Sequence, residues 1–287
     1  MKVVDDAFVF RCGGESLLAM VCAPEVSQKI GVLIVVGGPQ YRVGSHRQFL
    51  LLARSLAAAG YPAMRFDFRG MGDSTGELRN FEQVGEDIEM AIDAFIARYP
   101  HIRKIVLWGL CDAASASLMY RYQHGDDRLA GFCLLNPWVR SEVTLARTQI
   151  KHYYRKRLLE LAFWKKLLSG QLVIVGALKG LMDSLLSLRK KSDKSAQGRI
   201  PSFQEQMGLV LASEGSPILL ILSGDDYTAK EFSEYAKASV TMSSALMRPN
   251  VTQCHVAEAN HTFASVEWRR VVEMETIAWL QKMEVPA

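Results

Sequence analysis

The sequence predicts an α/β fold: a mostly parallel central sheet with helices on both faces, interrupted by one helical insertion. Short apolar runs alternate with helical segments up to residue 135 and again from residue 216. This alternation is typical of parallel strands joined by crossover helices. Between about residues 136 and 213 it stops. We therefore expect a core made of residues 1–136 and 214–287, and a helical cap, or lid, made of residues 137–213.

Each predicted element has its own sequence signal. The run 31–36 (GVLIVV) is apolar throughout, which is typical of a strand buried on both faces. Before it, the runs 7–10 and 17–22 indicate two early strands that pair with each other. In chain order, the remaining strands are expected at 63–67, 104–108, 129–135, 216–222 and 251–256, and the helices at 48–59, 81–98, 113–120, 228–238 and 266–283.

Composition narrows the class of protein. Apolar residues make up 49% of the 287 residues and charged residues 22%, which is ordinary for a globular chain with a sizeable core. A net charge of +4 is too small to indicate nucleic-acid binding. The five cysteines are odd in number and lack Cys-x-x-Cys spacing, which argues against a disulfide scaffold or a zinc site. We expect no metal and no cofactor.

The N-terminal sequence favours a cytoplasmic location. Residues 1–6 (MKVVDD) carry acidic residues where a secretory signal has a basic stretch followed by an apolar run. No uncharged apolar run reaches the length that a membrane span needs. We therefore expect a cytoplasmic protein.

One segment carries a candidate nucleophile. Residues 109–113 (GLCDA) follow a predicted buried strand and precede a predicted helix, which is the context of a tight turn that lifts a nucleophile out of a strand end. The residue at its centre is Cys111, so the reactive atom would be a thiol. Gly109 and Ala113 are small enough to let the strand and helix backbones approach closely.

Two later loops hold candidate partners for this thiol. Asp225 and Asp226 follow the strand that ends at residue 222, and His261 follows the strand that ends near residue 256. A thiol becomes a strong nucleophile as the thiolate, and a histidine oriented by a carboxylate takes up the proton. We favour Asp226 as the acid, with Asp225 as the alternative.

An acyl-transfer site also needs two backbone N–H donors that stabilise the oxyanion. Asp112, directly after the nucleophile, is the first candidate. The second is expected in the loop after residue 36, where Pro39 has no N–H, which leaves Gln40. The candidates for substrate binding in the same region are Tyr41, Arg42 and His46.

A second segment matches the Gly-x-Ser-x-Gly pattern by letter alone. Residues 72–76 (GDSTG) contain Ser74, but no strand directly precedes them and no apolar helix follows. The pattern indicates a nucleophile only within a strand–turn–helix context. We therefore prefer Cys111 over Ser74, and we interpret the charged residues around Ser74 as a loop held by charge-assisted hydrogen bonds.

The predicted cap carries most of the positive charge. Residues 151–200 contain 12 Lys and Arg against 3 Asp and Glu, whereas the rest of the chain is net negative. A solvated helix face accounts for such a pattern. The functional alternatives are an anionic ligand, or peripheral contact of the basic cap with an anionic membrane.

Several motifs resemble those of known hydrolases. Residues 65–74 (RFDFRGMGDS) and 259–263 (ANHTF) are similar to loops of the α/β-hydrolase superfamily, in which nucleophile, acid and histidine follow in this chain order. Residues 36–48 (VGGPQYRVGSHRQ), 108–113 (WGLCDA) and 222–229 (LSGDDYTA) resemble the exosortase A system-associated hydrolase 1 family. The resemblance implies an α/β-hydrolase fold, a link to bacterial exosortase and exopolysaccharide systems, and Asp226 as the acid. The cysteine departs from the superfamily's usual serine.

We therefore expect an enzyme that acts on a small ester or thioester through Cys111, His261 and Asp226, with no nucleic-acid partner. A thioester on the cysteine passes its acyl group to water in a hydrolase and to another acceptor in an acyltransferase, and both readings stay open. A further alternative is a non-catalytic scaffold protein that docks through the basic cap. The sequence does not indicate the oligomeric state.

Overall fold

An eight-stranded, mostly parallel sheet forms the centre of the structure, a computed structural model that describes residues 3–140 and 201–283. The sheet order is β1-β2-β4-β3-β5-β6-β7-β8. Strands β1 and β2 are antiparallel to their neighbours, and the others run parallel. The strands are β1 (Val3–Cys12), β2 (Glu15–Pro24), β3 (Ile30–Val35), β4 (Ala63–Phe66), β5 (Lys104–Leu110), β6 (Leu129–Leu135), β7 (Ile218–Ser223) and β8 (Val251–Val256).

Helices cover both faces of this sheet, which confirms the predicted α/β fold. One buried apolar cluster includes residues of α2, α3 and α4, and a second cluster on the other face includes residues of α1 and α7. The helices are α1 (Gln48–Ala58), α2 (Gly85–Arg98), α3 (Asp112–His124), α4 (Phe203–Ser213), α5 (Tyr227–Ala238), α6 (Val240–Leu246) and α7 (Val266–Lys282). Within the described ranges, no helix is long and apolar enough to cross a membrane.

Three elements differ from the sequence-based expectation. The segment predicted as one helix over 81–98 starts as a separate short 3₁₀ turn, Phe81–Gln83, before α2 begins at Gly85. Helix α6 was not expected. Helix α4 falls inside the range assigned to the cap, but its apolar side chains Met207, Val210 and Leu211 are buried in the core cluster that includes α3.

The predicted cap lies mainly outside the described residues. Residues 141–200, with the basic run and the proposed lid, belong to the part of the chain that the structure does not describe. The helical cap therefore stays a prediction. The described residues just before it, up to Arg140, stay close to the core: Val139 is buried in it, and Arg140 pairs with Glu231 at 2.9 Å.

Candidate active site

Cys111 occupies a sharp turn between β5 and α3, at the edge where the parallel strands end. Its backbone has φ 64° and ψ −126°, a conformation that costs free energy for any residue with a side chain. The turn is held from both sides, because the Cys111 N–H donates to the Leu135 carbonyl at 2.8 Å and the Trp138 N–H donates to the Cys111 carbonyl at 3.2 Å. A Cβ at Gly109 would lie 2.6 Å from the Ala113 backbone, so the strand and helix approach too closely for a larger residue.

His261 and Asp226 come together in the loops after β8 and β7. The Nδ1 atom of His261 lies 2.9 Å from Oδ2 of Asp226. Asp226 is buried and is also the N-cap of α5, where it accepts the N–H groups of Thr228 at 3.1 Å and Ala229 at 3.0 Å. These bonds fix the carboxylate independently of the histidine.

The charges of this pair stabilise each other. Hydrogen bonds with Asp226 and with Cys111 raise the pKa of His261 to about 10, although burial acts in the opposite direction. Burial raises the pKa of Asp226, but the hydrogen bond and positive charge of His261 outweigh burial and leave that pKa below its usual value. The protonated form of His261 is therefore favoured beside the Asp226 carboxylate.

The two candidate acids have different surroundings. The Asp225 side chain is 83% exposed, and its nearest basic partner is Lys230 at 3.8 Å. Its backbone N–H donates to the Ala259 carbonyl at 3.0 Å, which ties the acid loop to the histidine loop. The geometry thus favours Asp226 as the partner of His261 and gives Asp225 a backbone role.

Asn136 is a functional candidate that sequence reasoning missed. It is fully buried at the end of β6, with φ 42°. Its side-chain amide donates to Ser223 Oγ at 2.8 Å and to the His261 carbonyl at 3.2 Å, and it accepts the Ser223 N–H at 2.9 Å. Asn136 thus joins β6 and β7 to the histidine loop. The only sequence signal for it was a polar residue directly after an apolar strand.

The backbone donors differ from the expected pair. The Gln40 N–H donates to the Gly38 carbonyl at 2.8 Å, so it is already used within its own loop. The N–H that points to the start of α3 belongs to Gly38, and it donates to Oδ2 of Asp112 at 2.9 Å. Gln40 stays a prediction, and its use within its own loop does not favour it. The sequence signal for Gly38 is its place as the second of two consecutive glycines before Pro39.

The three candidate substrate-binding residues lie in a structural network or at the surface. Arg42 is buried; it pairs with Asp67 and lies 2.8 Å from Asp73. The Tyr41 hydroxyl donates to the same Asp73 carboxylate at 2.5 Å. His46 is exposed in the short turn Ser45–Arg47. Arg42 and Tyr41 therefore stabilise this loop, and none of the three lines the cavity described next.

An apolar cavity opens beside the elbow. Its volume is about 220 Å³. Gly37, Gly38 and Asp112 form the end of the cavity next to the elbow. The remaining lining is mostly apolar and includes Phe68, Met71, Leu78, Phe81, Val84 and Ala116, with Arg79 and Asn80 as polar members. A mostly apolar lining with a few polar groups is typical of small-molecule binding sites.

Ser74 has a structural role. Its hydroxyl donates to the Asp67 carbonyl at 2.8 Å and accepts the Leu18 N–H at 3.0 Å, so both functions of the hydroxyl are used within the fold. In the part of the chain that the structure describes, no three His, Cys, Asp or Glu side chains cluster as a metal site requires. Among the described residues, the strand ends bring Cys111, His261 and Asp226 to the same edge of the sheet.

Comparison with known proteins identifies the family and the fold of this chain. A model of the family described as "Serine aminopeptidase, S33" matches residues 29–200, more than half of the chain. The esterase Pf2001 of Pyrococcus furiosus is similar in structure, with a TM-score of 0.63, 14% sequence identity, and coverage of 98% of this chain and 93% of that one. None of the curated proteins is a significant match to this sequence.

Two further structures support the same fold. A thermophilic esterase from Thermogutta terrifontis has a TM-score of 0.56 at 16% identity, covering 99% of this chain and 100% of that one. An alpha-beta serine hydrolase homologue from Coxiella burnetii has a TM-score of 0.57 at 16% identity, covering 94% and 96%. At these identities the likeness shows the fold alone. By its family match, the chain belongs to the serine aminopeptidase S33 family of the α/β-hydrolase superfamily and is an enzyme of the hydrolase class.

Proposed function

We propose that this enzyme transfers the acyl group of a small ester or thioester through Cys111. The observations that carry the proposal are the position of Cys111 in the sharp turn between β5 and α3, and the 2.9 Å contact between His261 and the buried carboxylate of Asp226. The Cys111 thiol also helps to raise the pKa of His261. A nucleophile, a proton carrier and an orienting acid in hydrogen-bond contact are the recurring parts of nucleophilic acyl transfer. The family is named for a serine enzyme, whereas in this chain Cys111 stands at the turn between β5 and α3.

The reaction divides into two balanced steps. In the first, the Cys111 sulfur attacks the carbonyl carbon, the bond from that carbon to the leaving oxygen or sulfur breaks, and the His261 imidazolium gives its proton to the leaving group. A thioester then links the acyl group to Cys111. In the second, neutral His261 takes a proton from water, the hydroxide attacks the thioester, and a carboxylic acid and the Cys111 thiolate are released.

The cavity indicates the class of acyl group. Its apolar walls begin directly beside Gly38 and Asp112, where the reacting carbonyl would lie. Burial of apolar surface stabilises a bound hydrocarbon chain by about 0.8 kcal/mol for each buried CH₂. We therefore propose an acyl chain of a few carbons as the group bound in this cavity.

Intact-mass spectrometry with an activated ester tests the proposal. The wild-type protein should gain one acyl group, and peptide mapping should place it on Cys111. The variant Cys111→Ala should lose both the adduct and ester turnover, whereas Ser74→Ala should retain both, because the Ser74 hydroxyl is bound to backbone groups. An acyl group on Ser74, or turnover that survives in Cys111→Ala, would overturn the assignment.

An acyltransferase is the second candidate, favoured by the cysteine itself. A thioester intermediate reacts readily with amines and thiols as well as with water. Adding an amine or thiol acceptor during turnover and quantifying both products separates the two functions. A hydrolase forms the free acid at an unchanged rate, whereas an acyltransferase forms mainly the acylated acceptor.

The biological setting is also a proposal. The motifs at residues 36–48, 108–113 and 222–229 are similar to those of exosortase A system-associated hydrolases, which supports a role beside bacterial exopolysaccharide assembly. The basic run at 151–200 supports contact with an anionic ligand or membrane. Deleting the coding gene in a bacterium that carries it and measuring exopolysaccharide output tests this setting directly.

A further inference from the structure

The carboxylate of Asp112 accepts a backbone N–H beside the start of α3, next to the proposed nucleophile in the chain. Asp112 directly follows Cys111, and its Oδ2 atom accepts the Gly38 N–H at 2.9 Å. The N–H groups of Asp112 and Ala113, at the start of α3, also face this carboxylate closely enough to favour its charged form. These backbone donors are the ones that would otherwise bind a substrate oxygen.

The fold leaves space for this carboxylate. A Cβ at Gly37 would lie 2.2 Å from Oδ1 of Asp112 and 2.7 Å from the Leu110 carbonyl. Any other residue at position 37 would therefore force the Asp112 side chain out of its place. The missing side chain at Gly37 forms the recess that the carboxylate fills.

The carboxylate is held there incompletely. Oδ1 of Asp112 is buried without a hydrogen-bond partner among the described residues. Burial raises the pKa of Asp112, and the N–H groups of Gly38, Ala113 and Asp112 offset only part of that effect. A charge that is poorly compensated in a partly buried site is easier to displace than one that is fully paired.

We propose that Asp112 gates the oxyanion hole: its carboxylate fills the hole in the free enzyme, and an acyl substrate must displace it before Cys111 reacts. This inference rests on the proposed acyl transfer at Cys111. The adjoining cavity provides room for the displaced side chain, since Asp112 lines it, and exposed Arg79 on the same lining supplies a positive charge. The gate explains why a carboxylate directly beside the nucleophile is compatible with catalysis.

Two reactions of the same thiol test the gate. Acylation of Cys111 by p-nitrophenyl butyrate develops an oxyanion, whereas alkylation by iodoacetamide displaces iodide and develops none. We compare the wild type with Asp112→Ser and Asp112→Ala, neither of which has a carboxylate to accept the Gly38 N–H. Asp112→Ser keeps a polar side chain at this position, and it keeps the test open if Asp112→Ala folds poorly.

The gate predicts that acylation responds to these substitutions and alkylation does not. Both variants should be acylated about tenfold faster than the wild type or more, since the hole no longer has to be emptied. Their alkylation by iodoacetamide should change far less, which controls for any altered reactivity of the thiol. Acylation that is unchanged or slower in variants that alkylate normally overturns the gate but leaves the proposed function intact. Alkylation without acylation of Cys111 in all three proteins overturns the proposed function and the gate with it.

Discussion

The Nδ1 atom of His261 lies 2.9 Å from Oδ2 of Asp226, and the carboxylate next to it in the chain, Asp225, points into solvent with 83% of its side chain exposed. Two adjacent acids thus have separate roles: one orients the imidazole, and the other offers a matched control for it. The sequence did not decide which of the two acids pairs with His261. The difference between them arises because Asp226 is the N-cap residue of α5.

Replacing these two acids should separate their roles. Asp226→Asn removes the negative charge opposite His261 and should lower kcat/KM for an ester by about 10³-fold or more. Asp225→Asn changes only an exposed carboxylate near Lys230, and kcat/KM should stay close to the wild-type value. Steady-state kinetics with one ester substrate measures both. A larger loss in Asp225→Asn than in Asp226→Asn would contradict the assignment.

His261 should make stability depend on pH. Its pKa in the folded protein is about 10, above its value of about 6.5 in an unfolded chain. A raised pKa stabilises the fold fully below about pH 6.5 and loses that contribution as the pH rises through about 10. The difference in the free energy of unfolding between the wild type and His261→Gln should therefore be largest near pH 6 and shrink toward pH 10.

Urea denaturation at pH 6, 8 and 10 measures this difference. Titrating groups that do not interact with His261 are common to both proteins and cancel in the comparison. The Cys111 thiol interacts with His261, so the same pair of proteins is also compared in a Cys111→Ala background. The carboxylate of Asp226 stays ionised throughout, because its pKa is lowered. A difference that stays constant or grows from pH 6 to pH 10 would show that His261 is not held in its protonated form.

Asn136 should contribute to catalysis as a positioning residue. Asn136→Ala leaves Ser223 and the His261 carbonyl without their buried partner, which should cost about 1–3 kcal/mol of stability. Release of the histidine loop should also lower kcat at least about tenfold. The matched control is Asn250→Ala, which removes bonds to the Glu214 and Ser216 carbonyls away from the site. Asn250→Ala should lose stability but retain kcat. If kcat falls equally in both variants, the role of Asn136 is structural only.

The sequence predicted the parts of this molecule that depend on local pattern. Apolar runs identified the parallel strands, and the strand–turn–helix context separated Cys111 from Ser74. The sequence could not predict contacts between residues that only the tertiary fold brings together. The choice of Gly38 over Gln40 depends on how the loop after β3 bends toward α3, and the role of Asn136 depends on bonds to residues 87 and 125 positions away.

The burial of helix α4 in the core cluster could not be predicted for a related reason. No local signal in the sequence marks where the chain returns from the predicted cap to the core. Burial of Met207 and Leu211 in the core cluster decides its place, and such burial is a property of the folded chain. The bonds of Tyr41 and Arg42 to Asp73 could not be predicted either, because Asp73 lies 31 or 32 positions away in the chain.

Gly109→Ala should show how tightly the elbow is built. The added Cβ would lie 2.6 Å from the Ala113 backbone carbon and 2.7 Å from the Ala114 nitrogen, and backbone atoms at the start of a packed helix have little freedom to move. Such overpacking should cost about 1–3 kcal/mol of stability and displace the Cys111 sulfur from His261. The control is Gly215→Ala, where a Cβ meets no atom within 4 Å. Thermal unfolding and the iodoacetamide rate at Cys111 measure the two effects, and equal behaviour of the two variants would contradict a tightly packed elbow.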